Sequence, residues 1–247
     1  AGTKPGELTM ALQRLEQGEL ELPLGCSVEY DLEALNILKA LARPAPAGMQ
    51  VASWYRSFRE LHGRRPFASE AFHEGYDPKV VRRNFGSWIN FVKSEGDLSE
   101  AETLAYDNNK NFFDSVEITP MSKSYKMIVL QAMLASDNFP GAMGIDDLAN
   151  SVSRIASRSQ LLAKEMGQAL TDMSEMRSLL EENPIKAWCG ARGTGGEAYF
   201  DYDNHVFSTQ SLAVADREAM TDLTREIVDW RLAQYLNRLH GELHFAR

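Results

Sequence analysis

Residues 62–88 read HGRRPFASEAFHEGYDPKVVRRNFGSW, with arginine pairs at Arg64-Arg65 and Arg82-Arg83. Breakers divide the stretch into short helical pieces. Gly63 closes a preceding helix, VASWYRSFRELHG, whose Val51, Trp54, Phe58 and Leu61 recur at steps of three and four. Pro66 precedes a short helix, SEAFHEG, with Ser69 as its expected cap. Asp77-Pro78 supplies an N-cap and a first-turn proline for a third helix, KVVRRNF. Gly86 then breaks the chain before SWINFVKSEG, where Trp88, Phe91 and Val92 form an apolar stripe. Three or four helices within fifty residues have the size of a helix-turn-helix module.

The third helix carries the functional expectation. If Val80, Val81 and Phe85 face a small core, Lys79, Arg82 and Arg83 fall on the opposite side, open to a polyanion. Asn84 adds a candidate base-edge contact, and Arg64 and Arg65 in the preceding turn are placed to hold phosphate. The bland alternative is a solvated basic face with no partner.

The rest of the chain is acidic. The 247 residues carry a formal charge of -9, yet residues 53–95 hold eight Lys/Arg against five Asp/Glu. That local balance of +3 leaves -12 elsewhere. Such a distribution argues against coating nucleic acid non-specifically and permits one basic footprint. No apolar run reaches membrane-spanning length, and the first residues do not read as a secretory leader. Cys26 and Cys189 stand far apart with no partners at ligand spacing, so we expect buried thiols in a reducing cytoplasm, with no metal and no cofactor.

Outward from the module, four regions are expected: a helical segment and linker over 1–47, the repeat over 48–97, a polar connecting helix over 98–118, and a last domain over 119–247. The first holds LTMALQRLEQGELE and DLEALNILKALA, separated by Leu22-Pro23-Leu24-Gly25 and ended by Arg43-Pro44-Ala45-Pro46-Ala47-Gly48. The connector loosens at Asn108-Asn109. The last domain opens with SKSYKMIVLQAMLAS, with Tyr125, Ile128, Val129, Met133 and Leu134 inward. A bent helical stretch over 144–166 follows, then a helix capped by Asp172 and stopped by Pro184. The period then falls to two in EAYFDYDNHVFS, a hairpin with Asp203-Asn204 at its tip. A closing helix places Met220, Leu223, Ile227, Trp230, Leu232 and Tyr235 on its inward row. The fold class is therefore mainly α: a helix-turn-helix module, then a winged-helix-like α+β domain with one β-hairpin and a long C-terminal helix.

Two resemblances sharpen the expectation. FRELHGRRPFASEAF and VVRRNFGSWINFVKSEG resemble the homing-endonuclease-associated repeat, a small helical DNA-contacting module. The resemblance implies DNA contact by Arg64, Arg65, Arg82 and Arg83, with Gly86, Ser87 and Trp88 structural. LPLGCSVEYD, KSYKMIVLQAML, LLEENPIKAW and GGEAYFDYDNHVF are similar to the region behind the motor of bacterial DEAD/DEAH-type superfamily 2 helicases, proteins often found with phage-defence systems. No G-x-x-x-x-G-K-[ST] and no D-E-x-[DH] occurs, so ATP hydrolysis belongs only to a parent motor. The resemblance implies a non-catalytic accessory piece that binds duplex DNA and works with a helicase motor domain.

Arg192, in the Gly-rich GARGTGGEAYF, and Lys123 and Lys126 are candidate DNA-backbone contacts beside the wing. That Gly-rich loop precedes a hairpin, whereas phosphate-cradling loops open a helix. Asp114, Glu117 and Lys123 have the wrong spacing for a metal-dependent nuclease, which stands as a third and less favoured reading. His205 stands apart from the other histidines, and His240 and His244 share a helix face near the C-terminus. The rival function is a protein-interaction module docking on a motor domain or partner subunit.

Overall fold

The computed structural model describes residues 47–190 and 197–245, the last five by backbone. The chain divides into a unit Ala1–Gln50 and a unit Val51–Arg247, and the described residues fall almost wholly in the second. The expected helices before residue 47, the linker, Cys26 and Arg192 lie outside the described residues.

Helix α1 (Ala47–His62) leads into the second unit and is followed by α2 (Ala68–His73), a 3-10 turn over Pro78–Val81, α3 (Arg82–Phe85) and α4 (Trp88–Ser94). Of the two caps expected here, the one at Asp77 forms and the one at Ser69 does not, and Ser87 adds a third that was not expected. Asp77 accepts from the Lys79 amide at 3.0 Å, with Pro78 in the first turn. The Ser87 hydroxyl caps α4 through the Asn90 amide at 3.1 Å. Ser69 does not cap α2; the Glu70 carboxylate reaches back to the Phe67 amide at 2.8 Å instead. Gly86 stands at φ 81°, where a Cβ would strain the backbone, and this lets α3 end and α4 begin. The expected stripe of α1 is rotated: Val51 and Tyr55 are buried, while Leu61 is 80% exposed.

Next come α5 (Glu100–Asn108) and α6 (Lys110–Ile118). The loosening at Asn109 is present, and its side chain explains it. Asn109 Nδ2 donates to the Ala105 and Ala213 carbonyls, and Oδ1 accepts from the Ala213 amide at 2.8 Å. The pair is not a polar connector, however. Phe112, Phe113 and Val116 of α6 are fully enclosed, and Phe112 packs against Phe139, Tyr199 and Phe200.

The remainder runs α7 (Tyr125–Ala135), β1 (Ala142–Gly144), α8 (Ile145–Ala156), α9 (Gln160–Met166), a 3-10 turn to Leu170, and α10 (Met173–Leu180). The predicted bend falls at Ser157–Ser159, where Ser159 caps α9. Asp172 caps α10 by accepting from the Ser174 and Glu175 amides. Pro184 does not stop this helix. It sits in a π turn over Glu181–Ile185 that absorbs its missing N–H, and α11 (Lys186–Cys189) continues. β2 (Phe200–Asp203) and β3 (Val206–Thr209) then form the hairpin.

The three strands make one antiparallel sheet in the order β1-β3-β2, with Met143 opposite Phe207 and Phe207 opposite Tyr202. The expected single hairpin thus gains a third strand. Its turn lies at Asn204-His205, one residue past the expected tip, with φ of 48° and 60°. Helix, strand, helices, hairpin is the order of a winged helix. The fold is mainly α with this small sheet, closed by α12 (Arg217–Phe245).

Helix α12 packs along α2, α5, α6 and α7, and its six expected inward residues are all buried. Helix α7 is enclosed nearly all round, because Met127, Leu130 and Ala132 are buried with the predicted face. Ile227→Ala should therefore cost about 2–5 kcal/mol, and Leu61→Ala about 0.5 kcal/mol or less. Urea unfolding of the two variants checks the rotated stripe; equal losses would contradict it.

Candidate functional site

The basic module is organised around two carboxylates that it does not contain. Glu226, on α12, accepts at Oε1 from Arg65 Nη1 at 3.0 Å, the Ala68 amide at 3.0 Å and the Trp88 indole N–H at 2.7 Å. Its Oε2 lies 2.8 Å from Arg65 Nη2. Burial works against the Arg65 charge, but the Glu226 carboxylate outweighs it and holds the guanidinium above its ordinary range. Glu117, at the end of α6, accepts from Arg82 Nε at 2.7 Å and from the Trp88 amide at 3.0 Å. Arg82 Nη2 also donates to the Glu117 carbonyl at 2.7 Å. Burial pushes the Glu117 carboxyl up, opposed by Arg82 and the Trp88 N–H.

The expected cationic surface is thus largely neutralised inside the molecule. Arg65 and Arg82 turn inward onto Glu226 and Glu117, and Arg64 forks onto Glu70 at 2.6 and 2.8 Å. Lys79 pairs with Asp77 at 2.8 Å. Arg83 and Asn84 are exposed and make no hydrogen bond or ion pair among the described residues. Lys123 lies 3.7 Å from Glu165, and Lys126 donates to the Thr119 hydroxyl at 3.0 Å. Burial lowers the Lys126 pKa, with Arg231 adding to the shift. The four arginines of the two pairs do not share one outward face.

Two positions that sequence reading missed had a visible signal. Glu226 and Arg231 interrupt the inward row of α12 at helical spacing from Leu223, Ile227 and Trp230. An ionised residue on a buried stripe implies a partner.

The described residues offer one imidazole oriented by a carboxylate. His205 Nδ1 sits 3.6 Å from Glu181 Oε1 and 3.4 Å from the Tyr202 hydroxyl, which itself donates to Glu181. The His205 side chain is 80% exposed. Glu181 opens the π turn, and the tight hairpin turn delivers His205 to it. Cys189 is half-buried, and burial, with Asp201 nearby, pushes its thiol up to about 11. It is therefore protonated at neutral pH and a poor nucleophile. No cluster of three metal-ligating side chains occurs among the described residues, and no described helix is long and apolar enough to cross a membrane. Asp114 is tied to Lys110 and Tyr106 on one helix with the buried Glu117, so the pair does not open to a metal.

Comparison with known proteins yields a partial likeness. The chain is similar to a protein-glutamine gamma-glutamyltransferase of Streptomyces cinnamoneus, at 27% identity over 141 residues. The match covers 55% of this chain and 31% of that enzyme, so the chain spans about a third of its relative's length. No family model and no solved structure matches. The likeness overturns the expected membership in the DEAD/DEAH-type helicases, and with it the DNA-binding accessory role. The internal pairing of Arg64, Arg65 and Arg82 agrees with that correction.

Glu226→Ala should destabilise the unit by about 3–5 kcal/mol in urea unfolding, because it leaves the enclosed Arg65 charge with only the more distant Glu102, at 3.6 Å. Loss under about 1 kcal/mol would refute the role given to the pair. At the exposed Arg64–Glu70 fork, Arg64 holds the Glu70 carboxyl below the usual carboxylate range. The stabilisation is present above the ordinary carboxylate pKa and fades as pH falls through the lowered value. A carboxyl-carbon NMR titration should show the Glu70 midpoint rising in Arg64→Gln; an unmoved midpoint contradicts the pairing.

Proposed function

We propose that this chain is part of an enzyme acting on protein-bound glutamine, moving the γ-glutamyl group to an amine. The observation that carries the reading is the similarity to the Streptomyces enzyme. In the overall exchange the carbonyl carbon loses its bond to the carboxamide nitrogen and gains one to the incoming amine. A proton passes from that amine to the leaving nitrogen, which departs as ammonia. An imidazole beside a carboxylate suits such a shuttle, because it can take a proton from one nitrogen and return it to another. His205, with Glu181 behind it, is the described side chain that fits. Cys189 is assigned no part in the chemistry, given its raised thiol pKa. We place the activity in the cytoplasm, on the strength of two widely spaced cysteines.

The test is incorporation of a fluorescent primary amine into a glutamine-rich protein. Wild type should label the acceptor; His205→Ala should lower the rate by about 10²–10⁴-fold, and Cys189→Ser should leave it within about twofold. Absence of labelling by the wild type, or an unchanged rate in His205→Ala, overturns the proposal.

A further inference from the structure

Asp229 stands apart from the other carboxylates that folding withdraws from solvent. Glu70, Asp77, Glu117, Glu165 and Glu226, buried or half-buried, each accept hydrogen bonds from their surroundings. Asp229, half-buried on α12, has neither a hydrogen bond nor an ion pair among the described residues. Burial pushes its carboxyl up, Arg225 opposes the shift and Glu226 adds to it. Arg225, however, directs its guanidinium to Asp222 at 3.4 Å. A carboxylate drawn partly out of water without a donor is costly, and the missing donor is one that a ligand can supply.

Asp229 borders an open cleft of about 620 Å³ where α2, the end of α7, the turn joining α8 to α9, and α12 meet. The walls are apolar: Phe72, Ile155 and Leu236 are partly buried against the core, and Leu162 and Leu232 are almost enclosed. Arg158 borders the same cleft from its exposed rim. Its amide donates to the Ile155 carbonyl at 3.2 Å, which fixes the turn that carries it. Its guanidinium has neither a hydrogen bond nor an ion pair among the described residues, and so does not meet Asp229. Gln131 and Asn237 add side-chain amides that are likewise without partners there. Counted with neutral imidazoles at His73 and His240, the two charges of the lining cancel. Such a cleft is suited to a molecule that carries both signs at once.

We propose that this cleft binds an amino acid with an apolar side chain, its ammonium group on Asp229, its carboxylate on Arg158 and its side chain against Phe72, Leu232 and Leu236. The volume is that of a small-molecule site, with apolar walls and a few polar groups to fix orientation. A guanidinium matches the two oxygens of a carboxylate, and an ammonium supplies the donors that Asp229 lacks. The site is separate from His205. The Ile145 amide, at the start of α8, donates to the His205 carbonyl at 2.8 Å, whereas Ile155 lies roughly 15 Å further along that helix. The inference does not depend on the acyl-transfer reading.

Isothermal titration of the whole chain with L-leucine tests it. Wild type should bind saturably, with a Kd on the order of 1 mM or tighter. Asp229→Asn and Arg158→Gln should each weaken binding at least about tenfold. The exposed Arg158 side chain holds no other described residue, so its variant decides the outcome if Asp229→Asn unfolds. Two further probes take the ligand apart: isoamylamine lacks the carboxylate and isocaproate lacks the ammonium. Each should bind at least about tenfold more weakly than leucine. No saturable heat with leucine in the wild type, equal affinity in Arg158→Gln, or either partial probe binding as tightly as leucine overturns the site.

Discussion

Trp88 ties the second unit together. Its backbone amide goes to Glu117 and its indole N–H to Glu226, so one residue spans two buried carboxylates from different helices. Each carboxylate in turn binds an arginine from the opening helices, Arg82 or Arg65. Removing water from four charges is costly, and the attraction offsets it only where every remaining donor and acceptor is engaged. Here the indole, two backbone amides and two guanidinium groups engage the carboxylates, while Glu226 Oε2 meets Arg65 as an ion pair without a hydrogen bond. The arrangement fixes α2 and α4 against α6 and α12 in a single register, because apolar contacts tolerate sliding and directional hydrogen bonds do not.

This constraint changes what the positive charge of residues 62–88 means. A guanidinium held at 2.7 Å by an enclosed carboxylate contributes little field outside the molecule, whereas the same group in solvent would attract polyanions. In that stretch Arg65 attaches the small helices to α12 and Arg82 attaches them to α6, while Arg64 is held by Glu70 within the module. The winged-helix order of the last part is likewise a statement about architecture; unrelated functions share such scaffolds.

Local features were legible in the sequence. Asp77-Pro78 and Asp172 mark helix starts that need only neighbouring residues to form, the period-two run announced the hairpin, and the inward row of α12 followed from helical spacing. What escaped depends on distant partners. Arg82 and Glu117 are 35 positions apart, and Arg65 and Glu226 are 161 apart, so nothing local distinguished a neutralised arginine from an exposed one. The α1 stripe was misjudged because Tyr55 competes with Phe58 and Leu61 for the inner side, and tertiary packing chose Tyr55. Pro184 looked like a stop, since a widened turn that accommodates proline has no short sequence signature. The His205–Glu181 approach was equally hidden, resting on a π turn and a hairpin that meet only after folding.

The hairpin turn carries a conflict between backbone and side chain. Asn204 and His205 both occupy left-handed conformations, where glycine would sit with least strain and a residue with Cβ costs about 1 kcal/mol or more. A glycine at position 205 would relax the turn while deleting the imidazole. Firmness of the fold and possession of the ring therefore pull in opposite directions at one site, which makes this position a place where selection for robustness and selection for chemistry would choose different amino acids.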